Sequence, residues 1–123
     1  MPDHAFYSSM LRFVAARLAT PEADPRTKAM MAALRRAADD FDTGARHTVA
    51  MGELELTARA FAGVAGFLQR SILPEALAHG NTAGERQVRW AVDAAMTTVN
   101  TLLARAALPD GADVTIDLPP PPV

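Results

Sequence analysis

The sequence predicts an all-α domain: an elongated four-helix bundle over residues 1–108, followed by a short, extended, proline-rich tail over residues 109–123. Three observations carry that reading. Apolar residues recur at spacings of three and four from Asp3 to Leu108, the period of helices that turn one face to a core. Capping signals punctuate the span, at Asp24-Pro25 and at Thr82-Ala83-Gly84-Glu85. Strand-type alternation waits until Val114, Ile116 and Leu118 alternate with Thr115 and Asp117, just before the run Pro119 to Pro122.

The first helix is expected from Asp3, as N-cap, to about Ala19. Phe6, Met10, Phe13 and Val14 form one apolar row, with Tyr7, Leu11 and Leu18 on an adjoining one, so this helix should be covered on more than one side. After a connection at residues 20–24, Asp24 caps a second helix and Pro25 takes its first position, where a missing amide hydrogen does no harm. That helix presents Met30, Met31, Leu34, Ala38, Phe41 and Ala45. It is expected to run through Gly44 to Met51-Gly52, at a cost of roughly 1 kcal/mol for the internal glycine.

The third helix is placed from about Glu53 to Leu73, turning Leu54, Phe61, Val64, Ala65, Leu68 and Ile72 inward. Pro74 ends or kinks it, because proline brings no amide hydrogen and crowds the preceding turn. A short helical turn follows to His79, closed by Gly80. The fourth helix reads from a capping box, Thr82 as N-cap with Glu85 reaching back, to about Ala107. Its stripe is near-heptad: Val88, Val92, Ala95, Met96, Val99, Leu102, Leu103 and Ala106. Glu85 with Arg89, and Arg89 with Asp93, form i,i+4 pairs on the solvated side. Some 26 residues at about 1.5 Å each span roughly 39 Å against a radius of gyration of roughly 14 Å, so the domain is elongated or pairs its helices across a dimer. The tail reads as an arm lying along its own protomer, a second one or another protein. Removing residues 109–123 is expected to weaken association and leave the helices folded.

Composition narrows the chemistry. The chain has no cysteine, which excludes disulfides, zinc–thiolate sites and a thiol nucleophile. Twelve Lys+Arg against fourteen Asp+Glu give a net charge of −2, with no global pull on a phosphate backbone. Arg26, Lys28, Arg35 and Arg36 gather on one helix, but no short recognition helix follows a tight turn, so nucleic acid is not an expected partner. Residues 1–38 are net basic and residues 39–58 net acidic, an asymmetry suited to self-association or docking. Arg or Glu interrupts every apolar stretch short of the roughly 20 residues of a membrane span, and no basic leader precedes an apolar run. The expected setting is the cytoplasm, without a membrane partner.

His4, His47 and His79 are the side chains whose ordinary titration falls near neutrality. None has metal-ligand spacing, and the Glu-x-x-His units of a di-iron bundle are missing, so neither metal nor cofactor is expected. Ser8-Ser9 and Thr97-Thr98 offer hydroxyls without a charge relay or a glycine-rich phosphate loop. The segment from Arg46 to Leu56, around His47, resembles the active helix of histidine phosphotransfer domains, small helical bundles with a reactive histidine exposed on a long helix. The family carries a lysine three residues after that histidine and a small residue one further on; Ala50 and Met51 stand there instead. What the resemblance implies is His47 as phosphoryl acceptor, without the nearby cation that would stabilise the incoming group.

Small residues crowd the third helix at Ala58, Ala60, Ala62, Gly63, Ala65 and Gly66, which admits another helix closely or leaves room for a flat apolar ligand near Phe61, Phe67 and Trp90. The expected function is a non-catalytic protein–protein interaction module, a small accessory or regulatory subunit. It would be homodimeric, not an enzyme, and would act through helix faces and the tail. Trp90, Val114, Ile116, Leu118, Pro119 and Pro120 are the candidate partner-binding residues. The alternative is a small-molecule-binding bundle or enzyme with an apolar core pocket. A deep pocket with converging polar groups marks that alternative, and a filled core beneath an exposed apolar patch marks the interaction module.

Overall fold

A computed structural model describes residues 2–108 and 112–117, with side chains from Ala5 onward. The all-α class holds, with one two-stranded ribbon added. Helix α1 (Pro2–Leu18) starts ahead of Asp3, which therefore lies inside it rather than at its cap. Its buried face is Tyr7, Ser8, Leu11, Val14 and Ala15; Phe6 and Met10 are half-buried and Phe13 is exposed. Helix α2 (Pro25–Asp42) begins where the sequence placed it, the Asp24 carboxylate accepting from the Thr27 amide at 2.7 Å. That bond holds the Asp24 carboxyl below its ordinary pKa.

The end of α2 corrects the sequence reading. The helix stops at Asp42, not near Gly52. Gly44 adopts φ 75°, the Gly44 amide returns to the Phe41 carbonyl at 3.1 Å, and the Ala45 amide returns to the Asp40 carbonyl at 2.9 Å. This Schellman closure satisfies carbonyls that a helix end leaves open, and glycine enters the left-handed region without a Cβ penalty. The freed chain forms β1 (His47–Val49), antiparallel to β2 (Val114–Ile116), with His47 opposite Ile116 and Val49 opposite Val114. His47, Val49, Val114 and Ile116 point inward, while Thr48 and Thr115 stay outside with their hydroxyls 3.3 Å apart. Described residues of the tail thus lie along their own protomer.

A 3-10 turn (Met51–Glu53) leads into α3 (Leu54–Phe67), and the Met51 amide donates to Asp113 at 3.0 Å, a second tie to the tail. Helix α3 passes through a π turn (Leu68–Ile72) into α4 (Leu73–Ala78). Pro74 withholds an amide from that turn, and the wider π spacing absorbs the defect without ending the rod. Helix α5 (Thr82–Ala106) is capped by Asn81 rather than Thr82: the Asn81 side chain accepts from the Gly84 amide at 2.9 Å. A Cβ on residue 84 would collide with that side chain, which accounts for Gly84. Glu85 does not reach back to a capping amide; it pairs with Arg89 at 3.1 Å, and the expected Arg89–Asp93 pair does not form.

Helix α1 packs on α2 and α3 on α5, and α2 against α3 joins the two pairs. Tyr7, Leu11, Leu34, Phe61, Val64, Leu68 and Leu102 fill the centre. Met96 and Leu103, expected in the inward stripe, are instead 38% and 47% exposed on the outer edge of α5. Among the described residues, no helix is long and apolar enough to cross a membrane.

Candidate functional site

Two groups of side chains stand out, one inside and one outside. The inner group follows from the turn at Gly44, which folds β1 back onto the last turn of α2. His47 is 4% exposed, its Nδ1 lies 2.8 Å from Asp40 Oδ2, and its ring meets Phe41 edge-on at 6.2 Å. Phe41 stacks on Tyr7 at 6.0 Å, and Trp90 closes on Tyr7 in a T at 5.8 Å. The Tyr7 hydroxyl is buried and makes no well-formed hydrogen bond. Burial pushes its pKa up, opposed more weakly by the neighbouring Thr98, whose own hydroxyl proton goes to the Ala94 carbonyl at 3.1 Å. A phenol so desolvated supplies no phenolate.

His47 has a carboxylate partner and no exposed face. The phosphotransfer resemblance requires an exposed histidine on a helix; His47 lies on a strand and is buried. His79 ends α4 at the surface, with Nε2 3.3 Å from Glu75, and the side chain of His4 lies outside the described residues. No cluster of three or more metal-ligating side chains occurs among the described residues. Beside this group, Arg12 bridges Asp39 at 2.7 Å and Asp42 at 2.6 Å. Its guanidinium, with a smaller contribution from the Ser8 hydroxyl, holds the Asp42 carboxyl below its ordinary range.

The described grooves open at the surface. The largest, about 450 Å³, runs along the first half of α5 past Thr82, Arg86, Arg89, Trp90 and Asp93. Another of about 340 Å³ lies where Met51, Leu54 and Glu55 meet Arg105, Ala106 and Leu108. A third, about 290 Å³, joins Phe6 and Ile72 to His79 and Val88. A fourth, about 160 Å³, sits between Gln69 and Leu73 on one side and Arg89, Val92 and Asp93 on the other. In the largest, Arg89 is already committed to Glu85.

The outer group is apolar and cationic. Phe13, 46% exposed on α1, lies 5.3 Å from the half-buried Phe67 of α3. The Arg17 guanidinium is 5.4 Å from the Phe67 ring centre and 5.9 Å from that of Phe13. One turn beyond, the Arg70 guanidinium lies across Gly66, so close that a Cβ there would force it aside. The Arg17 guanidinium in the last turn of α1 thus borders both rings.

Of the residues singled out from sequence, Trp90, Val114 and Ile116 are committed to the interior of their own chain. Leu118, Pro119 and Pro120 lie outside the described residues. Phe13, Met96 and Leu103 were assigned to core stripes instead. The signal that separates them is stripe width: eight apolar positions on α5 and seven on α1 exceed what the neighbouring helices cover. Comparison with protein-family models, with curated proteins and with solved structures finds no match for this chain.

Proposed function

We propose that the chain is a non-catalytic protein–protein interaction module, a small homodimeric accessory or regulatory subunit that works through its helix faces. The observation that supports this reading is the Phe13–Phe67 pair, two aromatic rings held partly in water beside the Arg17 guanidinium. Aromatic rings and arginine are the residues on which binding energy concentrates, and an apolar patch above a filled core favours a partner over a small ligand. Any share of the tail in binding falls to residues beyond Asp117, because Val114 and Ile116 already serve the interior.

Native mass spectrometry of untagged protein from its own host, repeated under denaturing conditions, tests the reading. A dimer or a complex with another protein is the expected result. A monomer with a small adduct that is lost on denaturation would overturn it in favour of a ligand-binding fold. Phe13→Glu should weaken binding of the partner protein at least about tenfold. Because Phe13 is exposed, the same change should leave the thermal midpoint nearly unaltered.

A further inference from the structure

Helices α1 and α2 form an antiparallel hairpin through the connection at residues 19–24, and Arg12 fixes how their outsides align by bridging Asp39 and Asp42. One turn nearer the connection, Ala16 of α1 comes level with Arg35 of α2, and Lys28 follows two turns on in the same row as Arg35. Around the outside of α1 the order is Arg12, Ala16, Phe13, Arg17. Phe13, 46% exposed, therefore stands between the side that meets α2 and the side on which Arg17 meets Phe67.

Charge is uneven on this hairpin. From Phe13 to Ala38 there are five cations, Arg17, Arg26, Lys28, Arg35 and Arg36, and two acids, Glu22 and Asp24. The Asp24 carboxylate is taken by the Thr27 amide, Asp39 and Asp42 by Arg12, and Glu53 by Arg36, which leaves Glu22 in the connection as the acid of that stretch without such a partner. Arg17, Lys28 and Arg35 are exposed and form no ion pair with any described residue. Three cations thus border an exposed aromatic ring on a chain whose net charge is −2. An acidic partner is repelled by the rest of such a surface and steered to this part of it. The chain's own acidic block does not supply that partner, because Asp39, Asp40, Asp42 and Glu53 are each held by Arg12, His47 or Arg36. We propose that this face takes an acidic, amphipathic segment of a different protein, with apolar side chains on Phe13 and Phe67 and carboxylates on Arg17, Lys28 and Arg35. The inference rests on the interaction-module reading and names the chemistry of its partner. Arginine suits the task, since its planar fork holds a carboxylate through two hydrogen bonds while its flat face stays on a ring.

Fluorescence anisotropy of the full chain is the test, with a labelled synthetic peptide that carries Glu on one helical face and Leu and Phe on the other. Its Gln-for-Glu counterpart and a single-stranded oligonucleotide are measured beside it. The acidic peptide should bind, the Gln counterpart should bind at least about tenfold more weakly, and raising salt from about 0.05 M to about 0.5 M should weaken the acidic peptide. Arg17→Glu, Lys28→Glu and Arg35→Glu should each weaken it about threefold or more, and Phe13→Ala about tenfold, whereas Arg86→Glu on α5 should not. All these positions are exposed, and circular dichroism checks that each variant is folded. No binding at about 1 mM acidic peptide, equal binding of the Gln counterpart, or indifference to Arg17→Glu and Arg35→Glu overturns the proposal. Tighter binding of the oligonucleotide, lost in the same variants, overturns it in favour of a phosphate polyanion. If the peptide fails while the native spectrum holds a protein complex, the interaction reading stands and this inference alone falls; a monomer with a small adduct removes both.

Discussion

Tyr7 and His47 are both buried polar rings, and the fold treats them in opposite ways. His47 is satisfied through Asp40, whereas the Tyr7 hydroxyl sits among Phe41, Trp90 and Thr98 with nothing to accept its proton in good geometry. Desolvating a hydroxyl without a bond costs stability, so Tyr7→Phe should raise the unfolding free energy by up to about 1 kcal/mol in urea titration. A loss of that size would show the hydroxyl to be bonded in solution. Asp40→Ala leaves the imidazole buried without its partner and should cost about 1–2 kcal/mol by the same measurement. Asp24 and Asp42 titrate lower in the folded chain than in the unfolded one. Their contribution is therefore fully present above the ordinary carboxyl range of about 4 and is lost as pH falls through their lowered values. A pH series of thermal midpoints should be level with respect to these two groups above that range and decline below it. Asp42→Asn should shallow the decline.

In α2 the beginning was legible in the sequence and the end was not. Asp24-Pro25 is a local signal whose partner, the Thr27 amide, is three residues away, so sequence alone locates it. The end at Gly44 is decided by what the chain gains afterwards: burial of His47 and Val49 against a strand more than sixty residues on. No window of local sequence contains that information. Gly44→Ala tests the closure. Nothing lies within 4 Å of a Cβ there, so the loss is purely conformational, about 1 kcal/mol for a left-handed residue. At α5 the cap lies one residue from where the sequence placed it, because Asn81 and Thr82 are both good caps and Gly84, lacking a Cβ, leaves room for the Asn81 side chain. Asn81→Ala should cost about 1 kcal/mol, and Thr82→Ala much less. The reverse order in thermal scans would restore the capping box.

For the whole molecule, composition and period fixed the class, and the core was recognisable from Leu34, Phe61, Val64 and Leu102 outward. The candidate surface was not, because an amphipathic stripe is read by counting apolar residues, and Phe13, Met96 and Leu103 count as much as residues that are covered. Only the placement of neighbouring helices separates core from leftover. The tail was half legible: its alternation announced a strand, and its partner strand stayed hidden. Removing residues 109–123 now carries a larger penalty than the sequence implied. It strips Val114 and Ile116 from the interior, at about 1.5–3 kcal/mol for each side chain fully buried, and urea titration of the truncated chain should show a loss of that order.

That pairing also sets a schedule. On the ribosome, α1, α2 and α3 are complete long before residues 114–116 exist, yet β1 has no partner until they are made. A nascent chain therefore presents His47, Val49 and an open strand edge throughout the synthesis of α5, and closes them last. Chains stalled or cut before Val114 carry a feature that finished molecules hide, by which a chaperone or protease can tell the incomplete product from the complete one.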